Sequence, residues 1–386
     1  MESVELFVGA GGLALGLSRA SFEHLLVADF DRHACDTIRE NQRLGVRYVK
    51  HWPLREVDVR ELDYSAMPES LDLLAGGPPC QPFSLGGKHR AHQDERDMFP
   101  EMARAIRSLR PKAVLIENVR GLVRPSFAKY FSYLLLQLTY PEIALRTEES
   151  WREHLSRLER YHTRGRPSGL HYRVVHRVLN AADYGVPQMR ERVVIVGIRS
   201  DLELAWSFPA PTHSREELLF DQWIIGQYWE RHSIPKHRRP QPPSGLASTI
   251  TKVSDVAHLT KPWRTVRDAI SDLPPPSPGS PDVPNHRLQP GARSYPGHTG
   301  SHYDWPAKTL KAGVHGVPGG ENMLLLPDGS MRYFSVREAA RVQTFPDDYF
   351  FPGVWSENMR QLGNAVPVTL GEIIADHLRR KLTAPR

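Results

Sequence analysis

Apolar residues in the first half of the chain fall in short runs separated by stretches of helical spacing. Val4 to Val8 predicts a buried strand, followed by a glycine turn and a helix from about Gly12 to Ala20. His24 to Asp29 predicts a second strand, and Asp31 to Asn41 a second helix. Leu71 to Ala75 and Ala113 to Glu117 predict further strands, and between them Met98, Met102, Ile106 and Leu109 recur at helical spacing. Val193 to Ile198 is one more β-branched run and is expected to be the last strand of the series. Strands alternating with helices imply an α/β fold, a doubly wound and mostly parallel sheet covered on both faces. Thr147 to His162 reads as a charged surface helix with Trp151, Leu155 and Leu158 on one side.

The texture changes near Phe208. More than half of the 33 prolines lie between there and Pro327, and the β/α alternation stops. Trp223, Trp229, Trp263 and Trp305 are more aromatic content than a linker carries, so a second, loop-rich unit is expected. Ser335 followed by Glu338 fits a capping box opening a helix through Val342. A last apolar helix is expected from about Val368 to Leu382, packing back on the first unit. The expected division is therefore residues 1–205, an insertion at 206–333, and a return at 334–386.

Composition narrows the function classes. Across 386 residues, 40% are hydrophobic, enough for a sizeable core, and the net charge of +6 suits a polyanionic partner without demanding one. The only cysteines are Cys35 and Cys80, which excludes a disulfide framework and a multi-cysteine metal site, so no metal is expected. Together with the absence of a long apolar run and an acidic start unlike a signal peptide, this points to a cytoplasmic protein with no membrane contact.

Two loops carry candidate chemistry. Phe7-Val8-Gly9-Ala10-Gly11-Gly12 lies between a predicted strand and helix, where glycines allow a sharp turn and close approach of a ligand. Asp29 ends the next strand, where a carboxylate can accept both ribose hydroxyls, and Asp58 follows the third strand candidate. These residues alone indicate an adenosine-bearing cofactor and do not separate a nicotinamide dinucleotide from S-adenosylmethionine. The second loop, Gly76-Gly77-Pro78-Pro79-Cys80-Gln81, follows a strand and presents Cys80 between prolines and glycines, whereas Cys35 sits in an apolar helical pattern as a small buried hydrophobe. A zinc deaminase would need a cysteine at Phe83, and a phosphate-binding loop would need serine or threonine at His89. A methyltransferase acting on an exocyclic amine needs no thiol. A thiol makes sense for an unactivated ring carbon: adding sulfur to C6 of a pyrimidine turns C5 into a nucleophile. Gln81 to Asp97 reads as a mobile polar loop able to close over a substrate. Glu117 and Asn118 end a buried strand, and Gln188-Met189-Arg190-Glu191-Arg192 enters another.

Taken in order, Phe7 to Gly12, Asp29, Asp58, Pro78 to Gln81, Glu117 to Val119, Gln188 to Arg192, Arg337 to Pro346 and Gly363 to Pro367 closely resemble the DNA (cytosine-5)-methyltransferase family, in its bacterial restriction-modification form. The resemblance implies Cys80 as covalent nucleophile, Glu117 at N3 and the amino group, Arg192 at O2, and Gln188 and Arg190 as further members of the catalytic set. It implies an S-adenosylmethionine site lined by Phe7, Gly9, Gly11, Gly12, Asp29, Asp58, Pro79, Asn364 and Val366. It also implies that the insertion recognises double-stranded DNA, with Ser84, Lys88, Thr309, Lys311, Gly313 and His315 as candidate contacts. A monomer is expected, with a cognate restriction endonuclease as a possible companion. Asp29 stands where the family usually has glutamate, and Pro78 where it commonly has phenylalanine. The same chemistry on tRNA and a non-enzymatic DNA-binding regulator remain as alternatives; a dehydrogenase would have no use for Cys80 with Glu117.

Overall fold

The structure is a computed structural model that describes residues 1–68, 71–79, 97–165, 168–253, 259–279, 282–293, 299–312 and 322–384. Cys80, Ser84, Lys88, Gly313 and His315 lie outside the described residues.

Seven strands form one sheet: β1 (Glu2–Leu6), β2 (Glu23–Asp29), β3 (Leu54–Glu56), β4 (Leu73–Gly76), β5 (Ala113–Val119), β6 (Tyr172–Asn180) and β7 (Glu191–Arg199), in spatial order β3-β2-β1-β4-β5-β7-β6. The first five run parallel, and β7 runs antiparallel to both neighbours. The expected fold class is therefore observed. The expected strand at Val4 to Val8 lies two residues earlier, because the chain leaves the sheet at Phe7, whose φ of 59° no strand accommodates. The strand order reverses between β1 and β4, which opens a crevice above their carboxyl ends.

Helices α1 (Gly12–Arg19), α2 (Arg32–Arg43), α3 (Phe99–Leu109), α4 (Ala128–Thr139) and α5 (Trp151–Thr163) cover the sheet. Asp31 caps α2, accepting from the His33 and Ala34 amides. Ser150 and Glu153 form a capping box at the start of α5. That helix is less superficial than its charge suggests: His154, Leu155 and Leu158 are buried in the sheet's main core.

Between β7 and the C-terminal helices the chain forms short elements, α6 (Arg215–Phe220), α7 (Gln227–Arg231), α8 (Ala247–Val253) and α9 (Val266–Ile270), with strands β8 (His213–Ser214), β9 (Lys261–Pro262), β10 (Ser301–His302), β11 (Met323–Leu325) and β12 (Met331–Tyr333). A separate apolar cluster of Leu218, Tyr228, Trp229 and Trp263 holds the first part, with Trp223 and Trp305 packed against it.

The C-terminal elements are α10 (Val336–Val342), opened by the expected Ser335–Glu338 capping box, α11 (Trp355–Asn364) and α12 (Val368–Thr383). The last lies along α1, burying Leu370, Ile374 and Leu378. Glycine permits this approach: a Cβ on Gly16 would lie 2.6 Å from the Glu372 nitrogen, and one on Gly12 would lie 2.3 Å from the Val366 oxygen. Among the described residues no helix is long and apolar enough to cross a membrane.

Because backbone cannot move aside as a side chain can, Gly16→Ala is expected to destabilise the chain by about 1–3 kcal/mol, the range for an overpacked contact. Thermal unfolding of the variant checks this, and an unchanged midpoint would refute the close α1–α12 contact.

Candidate active site

The loop after β1 is strained where it faces the crevice. Phe7 (φ 59°) and Gly9 (φ 53°) both adopt left-handed backbone. A Cβ on Gly9 would meet nothing within 4 Å, so the loop leaves open space there. The Gly9 amide donates to Asp29 Oδ2 at 2.8 Å, and the Asp31 amide donates to Asp29 Oδ1 at 2.9 Å. Burial raises the Asp29 pKa, and these amides oppose the shift. Gly11 and Gly12 serve packing instead: a Cβ on Gly11 would lie 2.7 Å from the Trp52 ring, and Gly12 accommodates the Val366 carbonyl. Asn364 is exposed at the end of α11 within an otherwise buried run. Asp58 follows β3 as expected, but Arg60 engages both of its oxygens and lowers its pKa. A ligand amine would have to share that carboxylate.

Phe30 was not anticipated. It is 66% exposed directly after Asp29, an aromatic face in water beside a carboxylate at a strand end. The available signal was an aromatic residue following the acidic residue at the end of a predicted strand.

On the other side of the switch point, Pro78 and Pro79, just before Cys80, are held through their carbonyls. Asn118 Nδ2 donates to the Pro78 carbonyl at 2.9 Å, and the Met98 amide donates to the Pro79 carbonyl at 3.4 Å. Asn118 thus holds Pro78, a role its sequence position alone did not reveal. Its neighbour Glu117 forms an ion pair with Arg192, Oε1 to Nε at 2.8 Å, with both side chains about nine-tenths buried. The pairing register explains the contact. Val119 pairs with Arg192 and Glu117 with Val194, so the two charged side chains are diagonal neighbours on one face. Burial lowers the Arg192 pKa and Glu117 counters it. Glu117 Oε1 receives no aligned hydrogen bond, despite its proximity to Nε, and so remains a buried acceptor with capacity to spare.

Two members of the expected catalytic set are placed differently. Arg190 is fully buried, and its guanidinium donates to the carbonyls of Leu310 (3.2 Å), Gly363 (2.7 Å) and Ala365 (3.0 Å). Gln188, also fully buried, donates to Gln343 Oε1 and accepts from the Leu310 amide. Both tie the start of β7 to the C-terminal loop and to the segment before β11, which corrects the expectation that they touch reacting atoms. Thr309, expected at DNA, donates to the Met189 carbonyl at 2.7 Å and joins the same junction. Lys311 is exposed beside it. Cys35 is fully buried as expected, and burial pushes its thiol up to about 12. No cluster of potential metal ligands occurs among the described residues.

Beneath the crevice, Glu5 faces the first turn of α1 and is almost wholly buried. Burial raises its pKa well above the usual range; the Ala14 amide opposes this and Asp29 adds to it. Glu5 Oε2 has no hydrogen-bond partner.

A crevice at the reversal of strand order, with a buried Glu117–Arg192 pair and the held carbonyls of Pro78 and Pro79 beside it, fits a methyltransferase of the α/β class. The family described as C-5 cytosine-specific DNA methylase matches residues 1–140 and 168–380. The chain belongs to that family and is a cytosine-C5 DNA methyltransferase. It is 31% identical over 389 residues to Type II methyltransferase M.PspPI of Psychrobacter sp. (strain TA137), covering 99% of this chain and 79% of that protein. It is 31% identical over 385 residues to Type II methyltransferase M.NgoMIV of Neisseria gonorrhoeae, covering 98% and 97%. Among solved structures it resembles a putative DNA modification methyltransferase encoded in an E. coli prophage (TM-score 0.55, 21% identity, 100% of both chains) and S. pombe Dnmt2 (TM-score 0.55, 16% identity, 100% of both chains). At those identities the structures support the fold alone.

Two outcomes follow from these contacts. Glu5 has a higher pKa folded than unfolded, so its contribution to stability is complete below its unfolded pKa near 4.3 and is lost as pH rises toward the folded value. Glu5→Gln should therefore gain stability relative to the parent as pH rises from 5 to 8, read as the difference in thermal midpoint. A pH-independent difference would contradict a buried, proton-retaining Glu5. Arg190→Met should cost about 3 kcal/mol or more, because three buried carbonyls lose their donor. Chemical denaturation measures this, and a loss below about 1 kcal/mol would contradict the assigned role.

Proposed function

We propose that this enzyme transfers a methyl group from S-adenosylmethionine to C5 of a cytosine turned out of a duplex, through a covalent bond between Cys80 and C6. The observation that carries the reading is the buried Glu117–Arg192 pair beside Pro78 and Pro79, whose carbonyls are clamped immediately before Cys80. Open space at Gly9, the Asp29 carboxylate and the exposed Phe30 ring fit an adenosine moiety at the β1–β2 end of the crevice: ribose on Asp29, adenine on Phe30. When bound, S-adenosylmethionine supplies an electrophilic methyl group.

This chain's residues perform the remaining steps. Turning the base out costs a few kcal/mol of lost stacking and pairing, offset by contacts in the pocket. The Cys80 thiolate adds to C6 and its electron pair moves into the ring toward N3 and O2. Glu117 shares a proton with N3 as charge builds there, and Arg192 donates to O2, so the developing charge meets groups already in place. C5 would take the methyl group as the sulfonium–carbon bond breaks and S-adenosylhomocysteine leaves; a base then removes the C5 proton, and the ring electrons return to expel Cys80 as thiolate. Pro79 lies between the two sites. Residues 206–333 act as the target-recognition unit, with Lys311, Gly313 and His315 near base edges and Ser84 and Lys88 near the strand carrying the target. The names of the Type II relatives favour a restriction-modification setting with an endonuclease cutting the same sequence.

Cys80→Ala is expected to abolish methyl transfer while S-adenosylmethionine binding, measured by calorimetry, persists; full activity would exclude the covalent route. DNA carrying 5-fluorocytosine in the target should trap the enzyme, since no proton can leave C5. Bisulfite sequencing of treated DNA, with a parallel assay on tRNA, identifies the target, and transfer to tRNA alone would overturn the DNA assignment.

A further inference from the structure

The family model matches residues 1–140 and 168–380, so helix α5 lies between its two matched stretches. Helix α5 carries a capping box and places Leu155 and Leu158 in the main core. Its polar face is committed as well. His154 Nε2 lies 2.7 Å from the Ile143 carbonyl, which can only accept, so that nitrogen carries the proton. Nδ1 then accepts from the Tyr133 hydroxyl at 3.0 Å, and Gln137 donates to the same hydroxyl at 3.0 Å. Burial lowers the His154 pKa, which keeps the ring in this neutral, single-tautomer state.

The aromatic end of α5 packs on α4. Trp151 meets the Tyr130 ring edge-to-face, with centroids 5.4 Å apart, and tilts on Tyr133 at 5.7 Å. The Tyr130 hydroxyl in turn donates to Asp97 Oδ2, and Asp97 Oδ1 accepts from the Phe99 amide at 3.2 Å. Asp97 is the first described residue after Cys80, and the next amide, that of Met98, donates to the carbonyl of Pro79. The point where the chain returns from the nucleophile segment is therefore held by Tyr130, and Tyr130 is held by helix α5.

We propose that helix α5 is a positioning element for the nucleophile, acting through Trp151, Tyr130 and Asp97. A side chain at a strand end reacts at full rate only if held to a fraction of an ångström, and both ends of the segment that carries Cys80 contribute to that hold. Trp151 and Tyr130 act on where Cys80 is presented.

This inference rests on the covalent reading above, and the test separates the two. Single-turnover formation of the covalent adduct on 5-fluorocytosine DNA is measured for the parent, Tyr130→Phe, Trp151→Ala and Trp151→Phe, alongside cofactor affinity, DNA affinity and thermal midpoint. Tyr130→Phe removes one oxygen and keeps the ring. It should slow adduct formation about tenfold, the scale of a lost hydrogen bond to a charged acceptor, with cofactor and DNA affinities unchanged. Trp151→Ala should slow it similarly, and Trp151→Phe should restore most of the rate. Unchanged adduct rates in Tyr130→Phe and Trp151→Ala would overturn the proposal, as would a rate loss in Tyr130→Phe matched by lost affinity or a lowered midpoint. Failure of the parent itself to form an adduct would instead remove the covalent reading.

Discussion

The antiparallel register between β5 and β7 is the constraint on which the site depends. With Val119 opposite Arg192, the side chains of Glu117 and Arg192 share a face and come into contact. A slip of one residue would turn Arg192 to the opposite face and leave Glu117 as an uncompensated buried carboxylate. The same register places Arg190, just outside β7, against the carbonyls of Gly363 and Ala365. One strand pairing thus sets the charged pair beside the crevice and the junction that closes its far wall.

That junction binds three distant parts of the chain. Gln188, Arg190 and the Met189 carbonyl take bonds from or to Leu310, Thr309, Gln343 and the Gly363–Ala365 turn. Gly363 has no side chain because Lys311 and Ala312 backbone lies against it, with a Cβ reaching 2.3 Å from the Ala312 nitrogen. Residues 309–312 therefore meet the sheet through buried contacts that are largely main-chain, a rigid way to hold distant parts of the chain in a fixed relation.

Unfavourable features gather at the carboxyl ends of the strands. Left-handed backbone at Phe7, buried Asp29 and Glu5, the Glu117–Arg192 pair and fully buried Arg190 all lie there or just beneath. Each would be costly in an ordinary core. The apolar layers beside them, Val4 and Leu6 with Leu74 and Ile116 on one face, Leu115 and Val196 with Leu370 and Ile374 on the other, supply the burial that tolerates them. Helix α5 extends the first of these layers, and its Trp151 packs on Tyr130.

Local chemistry determined much of this protein from its sequence alone. The alternation of short apolar runs with helical spacing, the glycine turn after β1, the Ser335–Glu338 capping box and the amphipathic C-terminal helix each depend on neighbours within a few residues, and each is read there. Where the local signal was weak the sequence was silent. The edge strand β6 carries Arg173, His176 and Arg177, since only one side of it pairs, and α4 runs Tyr-Leu-Leu-Leu without a clear polar face. The division of labour within Gln188 to Arg192 was decided by tertiary structure alone. Alternate residues of one motif have the same chemistry in sequence, and only the partners brought from positions 117, 310 and 363 make Arg192 a member of the site and Arg190 a strut.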